Sequence, residues 1–142
     1  MSKLVISTSS FNVKENSSLN HLVNSGMHIV RNSYKRKLTE DEAIELLGED
    51  TIGMIAGIEP LTERVFSSAK NLKVISRCGA GLDSVELAAA KLHGIAVFNT
   101  PEAPAQAVAE LTIGLMLTAL RRICQTDRLL RTNEWPRMQG QL

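Results

Sequence analysis

Short apolar runs alternate along the chain with stretches whose apolar residues recur every three or four positions. The runs occupy residues 3–7, 27–30, 52–56, 73–76 and 95–98. Runs of this length predict strands, and the periodic stretches between them predict helices. Because strands that alternate with helices form parallel sheets, the pattern predicts an α/β fold with a doubly wound, five-stranded parallel sheet covered by helices on both faces.

Residues that favour helix ends support this division. Pairs spaced as capping boxes predict two helix starts, at Thr39 with Glu42 and at Asp83 with Glu86, the second opening a helix over residues 85–93. Glycines predict the ends of three helices, at Gly26, Gly48 and Gly94.

After residue 99 the alternation stops. Pro101 and Pro104 precede a long helical run, residues 107–124, whose apolar side chains point in nearly every direction around the helix. A helix of this kind needs cover on more than one side, which one sheet layer does not provide. The sequence therefore predicts that the chain ends with a helix that its own sheet cannot cover. We expect the chain to self-associate, because Leu115, Met116 and Leu120 cannot all be buried within it.

Composition excludes several classes of function. The 16 Lys and Arg residues nearly balance 15 Asp and Glu residues, so no electrostatic feature favours a nucleic-acid partner. No apolar run approaches the length of a membrane span, and the N-terminus turns polar too soon for a secretory signal. The two cysteines, Cys78 and Cys124, do not make a disulfide framework. We expect a cytoplasmic protein without membrane contact.

The candidate chemistry lies where strands end. Ligands of open parallel sheets bind beyond the carboxyl ends of the strands, an edge predicted to hold the loops of residues 8–12, 57–60 and 77–83. In the last loop, Gly79 and Gly81 flank Ala80 just before a predicted helix. Successive backbone N–H groups in such a turn suit a carboxylate or phosphate. The alternative is a tight turn in which the glycines only supply positive φ angles.

Other polar residues give weaker signals. The three histidines, His21, His28 and His93, have neither metal-ligand spacing nor an evident carboxylate partner. Cys78 is expected to be a small packing residue, and Cys124 to pack within the long helix. Glu59, next to Pro60, is expected to be an exposed loop acid, with a carboxylate of the site as the alternative. Arg77 has two open interpretations, an anion ligand or a salt bridge to Asp83.

The glycine loop does not match a dinucleotide fingerprint. Ser84 stands where the third glycine belongs, and position 100 is Thr where an acidic residue would follow. No acid–base pair, nucleophile or metal cluster emerges from the residues themselves.

Residues 74–123 nevertheless resemble the NAD-dependent D-2-hydroxyacid dehydrogenases, and the branch acting on phosphoglycerate most of all. The resemblance rests on RCGAGLD at 77–83, VFNTP at 97–101 and VAELT at 108–112, in this order and spacing. It implies an outer, flavodoxin-like substrate domain over residues 1–99, followed by the crossover and first helices of a nucleotide-binding Rossmann domain over residues 100–142. The long helix, residues 105–124, would open that second domain and lie at a dimer interface.

The resemblance also implies site residues. Substrate would bind at Gly57 and Ile58 and on the backbone amides of Gly79, Ala80 and Gly81. Ala80 would in addition face the nicotinamide of NAD, and Val108 would lie near the cofactor. In this family the catalytic Arg, the Glu-supported His and the glycine fingerprint lie downstream of the segment that residues 1–142 match. No catalytic residue is therefore assigned in this chain. The chain alone is expected neither to bind NAD tightly nor to turn over substrate.

One departure concerns the substrate. Phosphoglycerate enzymes often carry an Arg–Ser pair after the third strand, where this chain has no cation in residues 56–60. The expected substrate is therefore a small D-2-hydroxy or 2-oxo acid, with 3-phosphoglycerate as one candidate. The alternative function is a flavodoxin-like binding module without catalysis, whose long helix docks a partner. The reading frame beyond codon 142 would distinguish the two.

Overall fold

The five predicted strands form one parallel sheet. In the computed structural model, which describes residues 2–8, 11, 17–135 and 137, the strands are β1 (Lys3–Ile6), β2 (His28–Arg31), β3 (Thr51–Ala56), β4 (Val74–Arg77) and β5 (Ala96–Phe98). Their order is β2-β1-β3-β4-β5, and every neighbouring pair is parallel. The strand order reverses between β1 and β3, as in flavodoxin-like sheets. The predicted α/β fold is confirmed.

Four helices connect the strands: α1 (Ser17–Asn24), α2 (Glu40–Leu47), α3 (Glu63–Ser68) and α4 (Leu87–Leu92). The predicted capping box at the start of α2 is present, with Thr39 and Glu42 each bonding the other's backbone N–H. The predicted glycine ends are also present, with positive φ angles at Gly26, Gly48 and Gly94.

Helices pack against both faces of the sheet around β1. Val5 belongs to a large cluster with side chains of α2, α3 and α4, including Leu47 and Phe66. Its neighbour Leu4 points to the opposite face, since side chains alternate along a strand, and packs against Leu19 of α1. β1 and β3 therefore bury residues on both faces, which explains why successive positions in these two strands are apolar.

The second predicted capping box is wrong. The helix begins at Leu87, two residues later than the predicted start, and Glu86 makes no side-chain cap for it. Instead, the Glu86 carboxylate accepts the N–H of Glu63 at 2.8 Å, at the start of α3. Asp83 and Glu86 have the spacing of a capping box, but the Glu86 carboxylate accepts an N–H at the start of α3 and not at the start of α4.

The chain divides into two compact units, Met1–Pro101 and Glu102–Leu142. The second contains α5 (Ala105–Leu120) and α6 (Ile123–Arg131). The predicted single helix over 105–124 is therefore wrong at its end, because Arg122 adopts φ 53° and separates the two helices. Cys124 belongs to α6 and is exposed, contrary to the expected packing role.

The apolar side chains of α5 are exposed. Leu115, Met116 and Leu120 keep 59%, 60% and 48% of their surface accessible. These values agree with the expectation that the unit does not cover this helix by itself. In the described part of the chain, no helix has both the length and the apolar character needed to cross a membrane.

Candidate functional site

The carboxyl ends of β1, β3 and β4 surround a cavity of about 260 Å³ at the point where the strand order reverses. Its lining comes from four segments of the chain: Ser7 and Thr8, Arg36 and Lys37, Gly57, Ile58 and Glu59, and Arg77 and Cys78. A crevice of this kind is the usual ligand site of an open α/β sheet. Of the predicted loop at residues 8–12, only Thr8 and Phe11 lie within the described residues.

A buried carboxylate joins two of these segments. Glu59 is 2% exposed, and its Oε1 accepts the hydroxyl of Ser7 and, at 3.0 Å, the N–H of Gly57. The expectation that Glu59 is an exposed loop acid is therefore wrong. The carboxylate fastens the loop after β3 to the end of β1, and it also occupies the space beside Gly57. A Cβ at that position would lie 2.9 Å from Glu59 Oε2.

The cations of the cavity come from outside the loop after β3. The two terminal guanidinium nitrogens of Arg36, Nη1 and Nη2, donate to the Glu42 carboxylate at 2.9 and 2.6 Å. These hydrogen bonds lower the pKa of Glu42 to about 2. Lys37 makes no ion pair with any described residue. Arg77 donates to the carbonyl of Cys78, while its buried Nε has no hydrogen-bond partner among the described residues. Of the described cations that line the cavity, Lys37 and Arg77 are therefore the two that can bind an anion without breaking an ion pair.

The segment carrying Arg36 and Lys37 is held by one amide. Asn32 Nδ2 donates to the carbonyl of Ser7 at 2.7 Å and to that of Arg36 at 2.8 Å, and Asn32 Oδ1 accepts the N–H of Tyr34 at 2.8 Å. The Arg36 guanidinium also lies 5.0 Å from the centre of the Tyr34 ring. These contacts tie the cationic segment to the end of β1, so that it faces the cavity.

The glycine turn after β4 requires glycine at its first position. Gly79 has φ +139°, and a Cβ there would overlap the Arg77 guanidinium. Its N–H is already bonded to Thr100 Oγ1 at 2.9 Å, so it is not free for a ligand. Ala80 and Gly81 are exposed, and neither N–H has a partner in the described ranges. Asn99 supports the turn by donating to the Ala80 carbonyl at 2.7 Å.

The predicted turn is therefore reproduced with two differences. Two successive free N–H groups, rather than three, are available to an anion. The helix expected immediately afterwards begins only at Leu87 and has six residues, so it adds no N-terminus to the site.

The loops after β3 and β4 are joined to each other. Leu61 donates its N–H to the Ser84 carbonyl at 2.8 Å and accepts the N–H of Glu86 at 2.9 Å. These bonds form an isolated parallel bridge between Leu61 and Val85, both of which are buried. The bridge fixes the spacing between the loop that carries Glu59 and the loop that follows the glycine turn.

Comparison with known proteins assigns the family. A model of the D-isomer specific 2-hydroxyacid dehydrogenase catalytic domain matches residues 5–134. The chain belongs to this family. It is 40% identical over 100 residues to the D-3-phosphoglycerate dehydrogenase of Methanocaldococcus jannaschii, covering 70% of this chain and 19% of that protein.

Two further relatives are a hydroxypyruvate reductase and a second phosphoglycerate dehydrogenase. The hydroxypyruvate reductase of Thermotoga maritima is 38% identical over 98 residues, covering 69% of this chain and 32% of that protein. The structure of NAD⁺-bound 3-phosphoglycerate dehydrogenase from Entamoeba histolytica aligns with a TM-score of 0.68 and 27% identity, covering 84% of this chain and 39% of the other. This chain therefore spans less than half the length of each of these dehydrogenases.

A dinucleotide does not fit the described residues of this chain by themselves. The turn at Gly79 and Gly81 has no third glycine, and its N–H groups are not continued by a helix that could receive a pyrophosphate. Val108, predicted to lie near the cofactor, is in α5 and is 57% exposed. Among the described residues, no group of three or more His, Cys, Asp and Glu side chains is arranged to hold a metal.

The structure corrects two other expectations about polar residues and excludes one of the two open interpretations of Arg77. Cys78 is exposed in the cavity wall rather than packed. Arg77 forms no salt bridge with Asp83. His93, expected to lack a carboxylate partner, lies 2.7 Å from Glu63 Oε1, and this hydrogen bond lowers the pKa of Glu63. No sequence signal identified this last pair, because 30 residues separate its members.

Proposed function

We propose that this chain is the N-terminal, substrate-binding part of an NAD-dependent oxidoreductase of the D-2-hydroxyacid dehydrogenase family. The whole protein would transfer a hydride between nicotinamide and the CH–OH carbon of a small D-2-hydroxy acid. The observation that carries the proposal is the pair of free N–H groups at Ala80 and Gly81, next to a cavity lined by Lys37 and Arg77.

Each part of the site has a role in binding. The N–H groups of Ala80 and Gly81 would hold the substrate carboxylate, as oriented amides in a turn do for anions. Gly57 has its N–H engaged by Glu59, so it would contribute only a close backbone surface. The Ile58 side chain, 56% exposed, would cover the apolar part of the substrate. Gly79 would act by holding the turn against Thr100.

The cofactor and assembly are part of the same proposal. NAD would be held mainly by residues that this chain does not contain, with Ala80 facing the nicotinamide and Val108 near it. The exposed apolar surface of α5 supports a homo-oligomer formed through residues 105–124. Residues 100–142 would begin the nucleotide-binding domain, after a substrate domain of residues 1–99. The absence of any described membrane-spanning helix is compatible with a cytoplasmic location.

An NMR titration of the 142-residue chain with D-glycerate tests substrate binding. We expect the backbone amide signals of Ala80 and Gly81 to shift with saturation, whereas glycerol, which lacks the carboxylate, should leave them unchanged. Equal responses to both compounds, or none to D-glycerate, would contradict the proposal. The purified chain should show no NADH oxidation with hydroxypyruvate, and measurable turnover would overturn the assignment of its catalytic residues to other segments.

A further inference from the structure

Glu59 is a buried acid in the wall of a cavity whose other charged lining residues are cations. The Ser7 hydroxyl and the Gly57 N–H both donate to its Oε1 and hold the carboxylate in place. Neither donor carries a charge, and neither Arg36, Lys37 nor Arg77 forms an ion pair with it. Its negative charge therefore acts on whatever enters the cavity.

The charge of the cavity is small despite its three cations. Arg36 is paired with Glu42 through two hydrogen bonds, so its charge is offset. Lys37 and Arg77 then stand against Glu59, so the described lining residues leave a net charge of +1 for a ligand. Such a balance suits one carboxylate, while a phosphate monoester at neutral pH carries a charge of about −1.5 to −2.

An anion has a defined place to bind. The Nε of Arg77 is buried without any partner among the described residues, and a buried donor left unpaired carries a free-energy cost. Arg77 also lines the cavity, so its guanidinium is placed to receive a carboxylate or phosphate oxygen there. Because Glu59 lines the same cavity, it repels the more highly charged of the two groups more strongly.

We propose that Glu59 is a specificity-determining residue, which disfavours phosphorylated substrates and selects small D-2-hydroxy or 2-oxo acids without a phosphate. This inference rests on the proposed function, since it assigns the substrate class of the same site. Glu59 acts through the field of its carboxylate and forms no bond with the substrate.

The test compares two ligands in four forms of the 142-residue chain. Dissociation constants for D-glycerate and D-3-phosphoglycerate are measured by NMR titration for the unmodified chain, Glu59→Gln, Ser7→Ala and Glu45→Gln. The glutamine keeps an oxygen that can accept from Ser7 and Gly57 but removes the charge. We expect Glu59→Gln to move the ratio of the two affinities by about fivefold or more toward D-3-phosphoglycerate, because a charge inside the cavity is weakly screened.

The controls separate charge from loop structure. Ser7→Ala removes a contact of the carboxylate and leaves its charge, so the ratio should stay within about twofold, as it should for the remote Glu45→Gln. A similar shift in Ser7→Ala, or a parallel loss of both affinities in Glu59→Gln, would assign Glu59 a purely structural role and overturn the inference.

A second variant keeps the test decisive if Glu59→Gln does not fold. Lys37→Gln should weaken D-3-phosphoglycerate more than D-glycerate, since it removes a cation from the cavity, and an equal effect on both would overturn the inference. Binding of D-glycerate with no change of the ratio in any variant leaves the proposed function standing and refutes only the role of Glu59. Failure of both ligands to bind refutes the proposed function and this inference together.

Discussion

Thr100 Oγ1 accepts the backbone N–H of Gly79 at 2.9 Å, and the Thr100 N–H donates to the Gly79 carbonyl at 3.1 Å. The end of β5 therefore holds the turn that follows β4. Without this pair, only the neighbouring Arg77 carbonyl, at 3.0 Å, would remain as an acceptor for the Gly79 N–H.

Thr100→Val keeps the shape of the side chain and removes the acceptor. We expect it to lower the free energy of unfolding by about 0.5–1.5 kcal/mol, the usual net value of one hydrogen bond. Urea denaturation measures this change. Thr112→Val is the matched control, because that hydroxyl only donates to the Val108 carbonyl within α5. Equal effects of the two substitutions would contradict a special role for Thr100.

Gly79→Ala should destabilise the chain more than a strained φ angle alone does. Gly94→Ala is the control, since Gly94 also has a positive φ, +68°, but open space around the position of a Cβ. We expect about 1 kcal/mol for Gly94→Ala and about 2–3 kcal/mol for Gly79→Ala, whose methyl group would displace Arg77. Thermal and urea unfolding measure both. A loss at Gly79 no larger than that at Gly94 would show that the guanidinium moves aside freely.

Stability should fall in acid in a defined range of pH. The hydrogen bonds from Arg36 lower the pKa of Glu42 to about 2 from an ordinary value of 4.5. A group with a depressed folded-state pKa stabilises the fold above its unfolded pKa and ceases to do so as the pH falls through the folded one. The stabilising effect of Glu42 is therefore complete above about pH 4.5 and is lost toward about pH 2.

Urea midpoints measured from pH 6 to about pH 2 test this expectation. The unmodified chain should be more stable than Glu42→Gln at the upper end, and the two should converge at the lower end. Glu45→Gln, on the same helix but without a described ion-pair partner, should follow the unmodified chain throughout. A constant difference between the unmodified chain and Glu42→Gln across the range would contradict the pH linkage.

Self-association should depend on α5. Replacement of Leu115, Met116 and Leu120 together by Ser is expected to shift the chain toward monomer in sedimentation velocity experiments, because it removes apolar surface that water otherwise contacts. Leu92→Ser serves as the control, since Leu92 is 84% exposed but belongs to the first unit. A strictly monomeric unmodified chain at high concentration would refute the expectation.

The strands were predictable because each contains a short run of apolar residues, and α2 was predictable because its cap lies within four residues of sequence. Glu59 was not, because the burial of a carboxylate depends on Ser7, which is 52 residues away. The same reason explains Glu86, whose spacing suggested a local cap but whose carboxylate serves α3.

The end of α5 was unpredictable for another reason. Arg122 takes a left-handed conformation, which usually signals glycine or asparagine, so nothing in the residue type announced the break. In the site, the glycine turn was found from sequence because its residues are contiguous. The cations that face the cavity come from separate loops, and only the folded sheet brings Lys37 and Arg77 to one edge.

The bridge between Leu61 and Val85 has a consequence for local opening. Since Leu61 is bonded on both sides, to Ser84 and to Glu86, neither loop can detach from the sheet edge without breaking bonds of the other. Segments joined in this way open as one cooperative unit. A ligand that contacts only the loop after β3 would therefore also slow amide hydrogen exchange at Glu86, at a residue it never touches.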